Sequence, residues 1–135
     1  MSTKNIIVIN VVGLEHKHLN SDLTPNISAL AEKGESAKME PVFPSVTCTV
    51  QASILSGRYP SEHGIIANGL YDRSSHSVSF WEQPSALVQR ERVWDTLKNK
   101  SPSVKTAVLF WQNTMFVNSD IVITPRPLHM GDGSM

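Results

Sequence analysis

An α/β chain built on a largely parallel β-sheet flanked by helices is predicted by three observations. Asn5–Val12 and Lys105–Trp111 are β-branched, nearly unbroken apolar runs without alternation, the pattern of strands buried on both faces. Strand-like and helix-like segments alternate from the start, the order of a βαβ unit with a right-handed crossover. A third stretch, Pro41–Leu55, reads as strand, turn and helix, with hydroxyl side chains at the mouth of the helix.

The first strand, Asn5–Val12, ends at Gly13, and the loop Leu14–Asp22 carries His16 and His18 among Lys17, Asn20 and Ser21. Solvated loop histidines are the expected reading of that pair rather than a metal site. Thr24 is a suitable N-cap and Pro25 suits the first helical position. Ile27, Leu30 and Ala31 form the expected buried stripe, and Gly34 the stop. Glu35–Val42 reads as a second strand, with Ala37 and Met39 alternating against Lys38 and Glu40. Pro41 and Pro44 keep the approach to the next helix extended, because a residue before proline avoids the α region. The cluster Ser45-Val46-Thr47-Cys48-Thr49 then opens a helix through Ala52-Ser53-Ile54-Leu55. A helix N-terminus presents unpaired N–H groups and suits a phosphate.

Gly57–Asp72 reads as loop, punctuated by Gly57, Pro60, Gly64 and Gly69. His63 within it has two readings, a residue holding the loop by hydrogen bonds, which is the expected one, or a metal or phosphate ligand. Asn68 is either a turn residue before Gly69 or an amide donor to a phosphate oxygen. Ser77–Trp81 is a short strand candidate. Glu91–Lys100 suggests a helix with Val93, Trp94 and Leu97 on one face, and Asp120–Thr124 a further strand. Trp111 and Phe116 are expected in the core, and Arg126 at the surface. The closing Gly131-Asp132-Gly133-Ser134-Met135 reads as mobile. No internal repeat or low-complexity segment is visible.

Composition narrows the function. Twelve basic and twelve acidic residues give no electrostatic case for nucleic acid or an anionic membrane. The single Cys48 cannot form an internal disulfide, and no C-x-x-C pattern suggests structural zinc. Ile6-Ile7-Val8-Ile9 is too short to span a membrane and makes a poor signal peptide, so the default location is cytoplasmic.

One pattern is more specific. Phe43-Pro44-Ser45-Val46-Thr47 is followed by Gly57-Arg58-Tyr59-Pro60-Ser61-Glu62-His63-Gly64-Ile65 and then Asn68, and later come Trp94 and Phe110-Trp111. The combination resembles the nucleotide pyrophosphatase/phosphodiesterase branch of the alkaline phosphatase superfamily. On that resemblance residues 1–135 are the N-terminal part of a single catalytic domain with an alkaline-phosphatase-like fold, incomplete in this chain. The partners implied are a small-molecule phosphodiester or nucleotide substrate and the remainder of the catalytic domain.

The resemblance also implies a mechanism. Thr47 is the nucleophile, its oxygen is a metal ligand, and it forms a phospho-threonine intermediate. The Thr47 amide and Asn68 hold the phosphoryl oxygens. Two Zn²⁺ ions are the implied cofactor, because zinc lowers the pKa of a coordinated oxygen and a second zinc about 4 Å away stabilises the leaving oxygen. The remaining Asp and His ligands are not in this chain. The one ligand expected early is an Asp before a Gly, and Val12 stands there, before Gly13. This keeps an alternative open: a weakened or inactive member that binds phosphate compounds or a protein partner. A sulfatase using Cys48 would need Pro and Arg where this chain has Val50 and Ala52.

Overall fold

The computed structural model describes residues 5–128. It divides into two compact units, Met1–Glu40 and Pro41–Met135.

The first unit contains a 3-10 turn at His16–His18 and helix α1, Pro25–Lys33. Proline at the first position and Gly34 after the last turn bound α1 where the sequence places its ends. Thr24 precedes the helix without capping it, since its Oγ1 donates to the His18 carbonyl at 2.6 Å. His18 Nδ1 accepts from the Glu15 amide at 3.0 Å, so one histidine of the pair holds the turn.

Two expected strands are absent. Asn5–Val12 and Glu35–Val42 carry no regular secondary structure, and Ile6 is 84% exposed. A strand exists through its ladder, and no described neighbour pairs with either run. The expected stripe on α1 is also unrealised: Leu30 is exposed, and no residue of the helix is fully buried.

The second unit is organised on helix α2, Thr47–Ser56. Its buried residues, Cys48, Thr49, Gln51, Ala52 and Leu55, recur at helical spacing. Cys48 and Ala52 pack with Ile65 and Val88, with Trp81 and Leu87 alongside. Leu55 packs with Trp94 and Val108, with Trp111 and Val117 alongside. Gly57 ends α2 in the left-handed conformation, at φ 64°, where a side chain would be strained.

The expected loop 57–72 is partly ordered into helix α3, Pro60–His63, and strand β1, Gly69–Asp72. Pro60 starts α3 and Gly64 stops it. β1 pairs antiparallel with β2, Ser77–Phe80, in the register Gly69↔Phe80. After a 3-10 turn at Ser85–Leu87 comes α4, Val93–Lys100, whose Asp95 accepts from the Arg92 amide at 3.0 Å. Trp94 is the buried member of its face, while Val93 and Leu97 remain partly open to solvent.

β3, Ala107–Leu109, pairs in parallel with β4, Ile121–Ile123. Asp120 fixes this crossover. It accepts from the Thr106 amide at 2.9 Å and pairs with Lys98 and Lys105, each at 3.0 Å. The Thr106 amide is the first cause, with the two lysines, of a carboxyl held well below the usual range. The architecture of the described residues is thus mixed, an antiparallel hairpin and a two-stranded parallel pair among helices. It does not extend to the largely parallel sheet expected from the sequence. Gly131–Met135 lies outside the described residues. No described helix is long and apolar enough to cross a membrane.

His63 pins α3 onto α2. Fully buried, it accepts the Ile65 amide at Nδ1, 3.1 Å, and lies 2.8 Å from Ser53 Oγ through Nε2. An amide N–H can only donate, so Nδ1 is the acceptor, and the neutral ring donates from Nε2 to Ser53. Burial lowers the His63 pKa, against smaller upward pulls from a backbone hydrogen bond and Glu62. The unfolded chain therefore binds this proton more tightly than the folded one. Stability from His63 is complete above the ordinary imidazole value of about 6.5 and declines as pH falls below it. Thermal melts from about pH 8 to about pH 5 should show a falling midpoint, with a shallower slope in His63→Gln. Equal slopes would remove His63 from this role.

Candidate active site at the N-terminus of helix α2

The approach to α2 is set by short-range chemistry. Ser45 Oγ donates to the Val42 carbonyl at 2.9 Å, turning the chain after Pro44. Val46 is the extended residue at the helix mouth, and its carbonyl accepts the Val50 amide at 2.9 Å. Thr47 is thereby the first helical residue. It is half-buried. Phe43, four residues earlier, stands 92% exposed.

Valine has no side-chain oxygen with which to cap a helix. The missing acceptor comes from 20 residues further on: Asn68 Oδ1 accepts the Cys48 amide at 2.9 Å. This bond also orients the amide group. Because the Cys48 N–H can only donate, Oδ1 faces the helix and Nδ2 remains as a donor at the same helix mouth. Thr47 and Asn68, both singled out from the sequence, are thus brought together.

Asn68 is in turn held by its own backbone. Its carbonyl accepts the Trp81 amide at 2.9 Å, one residue beyond the β1–β2 ladder. Trp81 has φ 58°, in the left-handed region, a conformation costing about 1–2 kcal/mol for a residue with a Cβ. Its side chain packs against the cluster containing Cys48 and Ile65, so tertiary contacts hold that backbone state.

Neighbouring groups are chemically quiet. Burial pushes the Cys48 thiol up to about 11, far from a reactive thiolate. His63 is committed to Ser53 and Ile65, the structural reading expected for it. Thr49 is fully buried, and its hydroxyl has no partner among the described residues.

Other candidates fare differently. Val12 lies in a turn at the end of an exposed run and is 74% accessible. Trp111 joins the core as expected, whereas Phe116 is 86% exposed and does not. Phe116 has φ 68°, and the loop around it anchors through buried Asn113 and Thr114 instead. Arg126 is exposed, a surface arginine. Sequence reasoning passed over Gln51, Gln83 and Gln112, whose side chains bridge the segments around the helix. Gln112 donates its amide to Gln51 Oε1 at 2.8 Å, and Gln83 Nε2 donates to Gln112 Oε1 at 2.6 Å. The available signal was Gln51, a polar residue on the same helical face as Cys48 and Leu55. No group of three or more His, Cys, Asp or Glu among the described residues could hold a metal ion.

Comparison with known proteins agrees with the motif. The profile of the type I phosphodiesterase/nucleotide pyrophosphatase family matches residues 6–131. An uncharacterized pyrophosphatase/phosphodiesterase of Schizosaccharomyces pombe is 37% identical over 68 residues, 50% of this chain and 14% of that protein. Human ectonucleotide pyrophosphatase/phosphodiesterase family member 1 is 35% identical over 102 residues, 72% of this chain and 11% of that protein. The venom phosphodiesterase of Macrovipera lebetinus is 30% identical over 113 residues, 78% of this chain and 13% of that protein. The chain therefore spans a small fraction of these relatives' length. With a profile match over nearly its whole length, the chain belongs to the type I phosphodiesterase/nucleotide pyrophosphatase family.

Proposed function

We propose that this chain carries the nucleophile of a hydrolase that cleaves phosphodiester or pyrophosphate bonds in nucleotide-type small molecules. The single observation behind this reading is the bond from the Cys48 amide to Asn68 Oδ1, which sets the Asn68 amide and Thr47, the first helical residue, at one helix N-terminus. In the proposed reaction Thr47 Oγ attacks phosphorus and gives up its proton to solvent. The bond from phosphorus to the leaving oxygen breaks, that oxygen takes a proton from solvent, and a phospho-threonine forms. Water then attacks, the bond to Oγ breaks, and the hydroxyl is regenerated. The helix N-terminus and Asn68 Nδ2 act on the phosphoryl oxygens, where charge develops.

The proposal includes Zn²⁺ as cofactor, two ions by analogy with the family. The donors of the described residues do not fit a metal site by themselves, since Thr47 Oγ comes without three carboxylate, imidazole or thiol companions. The other ligands are proposed to come from the remainder of a larger catalytic domain, of which residues 1–135 form the N-terminal part. Val12, where the family pattern has Asp, favours a second reading: a weakened member that binds phosphate compounds or a protein partner. A cytoplasmic location belongs to the same proposal, although relatives bear the prefix ecto- in their names.

Two experiments on the complete catalytic domain test these statements. Thr47→Ala should abolish turnover of a nitrophenyl phosphodiester, while Thr49→Val, which removes only a buried hydroxyl, should leave most of it. Asn68→Ala should raise the barrier by about 3 kcal/mol, roughly a hundredfold in kcat. It should also lower stability by about 1 kcal/mol through loss of the cap. Near-normal turnover in Thr47→Ala would defeat the nucleophile assignment.

The second experiment restores the carboxylate. In Val12→Asp, zinc content and turnover should rise together, because close dications need several carboxylates against their mutual repulsion. Two zinc ions per chain in the unaltered protein, with neither quantity changed by Val12→Asp, would show that Val12 does not stand at a ligand position.

A further inference from the structure

The hydrogen bonds around α2 form a closed circuit. The Cys48 amide donates to Asn68 Oδ1 at 2.9 Å, and the Trp81 amide donates to the Asn68 carbonyl at 2.9 Å. Gln83 Nε2 donates to the Trp81 carbonyl at 2.9 Å and to Gln112 Oε1 at 2.6 Å. The Gln112 amide donates to Gln51 Oε1 at 2.8 Å, which returns to α2 one turn after Thr47. Gln83 is buried and uses its whole amide group, since Oε1 also accepts the Asn113 amide at 3.0 Å.

We infer that Gln83 is a positioning residue for Asn68, an inference that rests on the reading of Thr47 and Asn68 as the reacting site. Trp81 is the link. Its left-handed backbone is gripped from both sides, the amide by Asn68 and the carbonyl by Gln83. A residue in a sparsely populated conformation keeps it only while its surroundings over-determine it. Without the Gln83 donor the Trp81 carbonyl is released, its backbone can leave the left-handed region, and the Asn68 carbonyl loses the amide that fixes it. The Asn68 side chain then loses its defined place at the helix mouth. Displacements of about 1 Å at such a group cost about a hundredfold in rate.

The side chain must be an amide. Glutamate at this position would still accept the Asn113 amide but would set oxygen against the Trp81 carbonyl and Gln112 Oε1. Methionine would lose all three bonds.

The test is a double-mutant cycle in the complete catalytic domain, with a nitrophenyl phosphodiester as probe. Gln83→Ala should lower kcat about tenfold or more, with KM changed less than about twofold, because the group it positions acts on the transition state. In an Asn68→Ala background the same substitution should change kcat by less than about twofold, since its target is gone. Gln83→Glu should repeat both results, and it serves alone if Gln83→Ala fails to fold. A merely structural glutamine would lower the melting temperature and scale kcat equally in both backgrounds, which would overturn the inference. Unchanged kcat in folded Gln83→Glu would overturn it as well. If Asn68→Ala keeps wild-type kcat, the reading of the site falls, and this inference with it. If Asn68→Ala is impaired and Gln83 acts independently of it, the inference alone falls.

Discussion

Gln51 sits on the buried face of α2, and its carbonyl oxygen receives an amide from 61 residues further along the chain. Much of the second unit depends on that contact. The segment 110–116 has Phe110, Asn113 and Phe116 in the left-handed region, and its ends bond backbone to backbone, Phe110 to Ile123 and Met115 to Gln83 and Ser85. Between those ends, side chains from elsewhere take over. Gln51 takes the Gln112 amide, Gln83 takes the Asn113 amide, and Arg92 Nη1 donates to the Asn113 carbonyl at 2.7 Å. Each such bond contributes about 0.5–1.5 kcal/mol net, and an orphaned buried partner costs about 1–3 kcal/mol. The unit is therefore knit by buried amides as much as by its two small apolar clusters.

The sequence was most informative where the physics is local. The ends of α1 follow from Pro25 and Gly34, and the end of α2 from Gly57. The hydroxyl cluster before Ala52 marked the start of α2, and the interval from Thr47 to Asn68 identified two groups that do converge. The parallel sheet was not legible in the same way. Asn5–Val12 has the composition of a buried strand, but burial requires neighbours, and composition names none of them. β3 forms because Asp120 and β4 lie within reach of it along the chain. Phe116 misled for a related reason: an apolar residue in a loop follows the loop's anchors, here Asn113 and Thr114. The glutamine bridges were invisible because a glutamine in a sequence carries no sign of its partner.

A helix that borrows its cap from a distant residue ties local order to tertiary order. With Val46 at its mouth, α2 has no cap of its own, and the Cys48 amide is satisfied only once Asn68 is delivered by the β1–β2 hairpin. Capping and assembly of the Thr47–Asn68 pair are thus one event. Damage to the hairpin would be felt at the helix mouth before the hydrophobic clusters were disturbed.

Cys48, next to Thr47, carries a consequence for the chemical durability of the chain. Oxidants and electrophiles attack the thiolate, and a thiol buried in α2 with its pKa raised to about 11 offers almost none at neutral pH. The one sulfur atom capable of crosslinking this chain is therefore shielded by the same packing that seats the helix. That packing slows the approach of peroxide, alkylating agents and stray disulfides to this sulfur for as long as the helix stays seated.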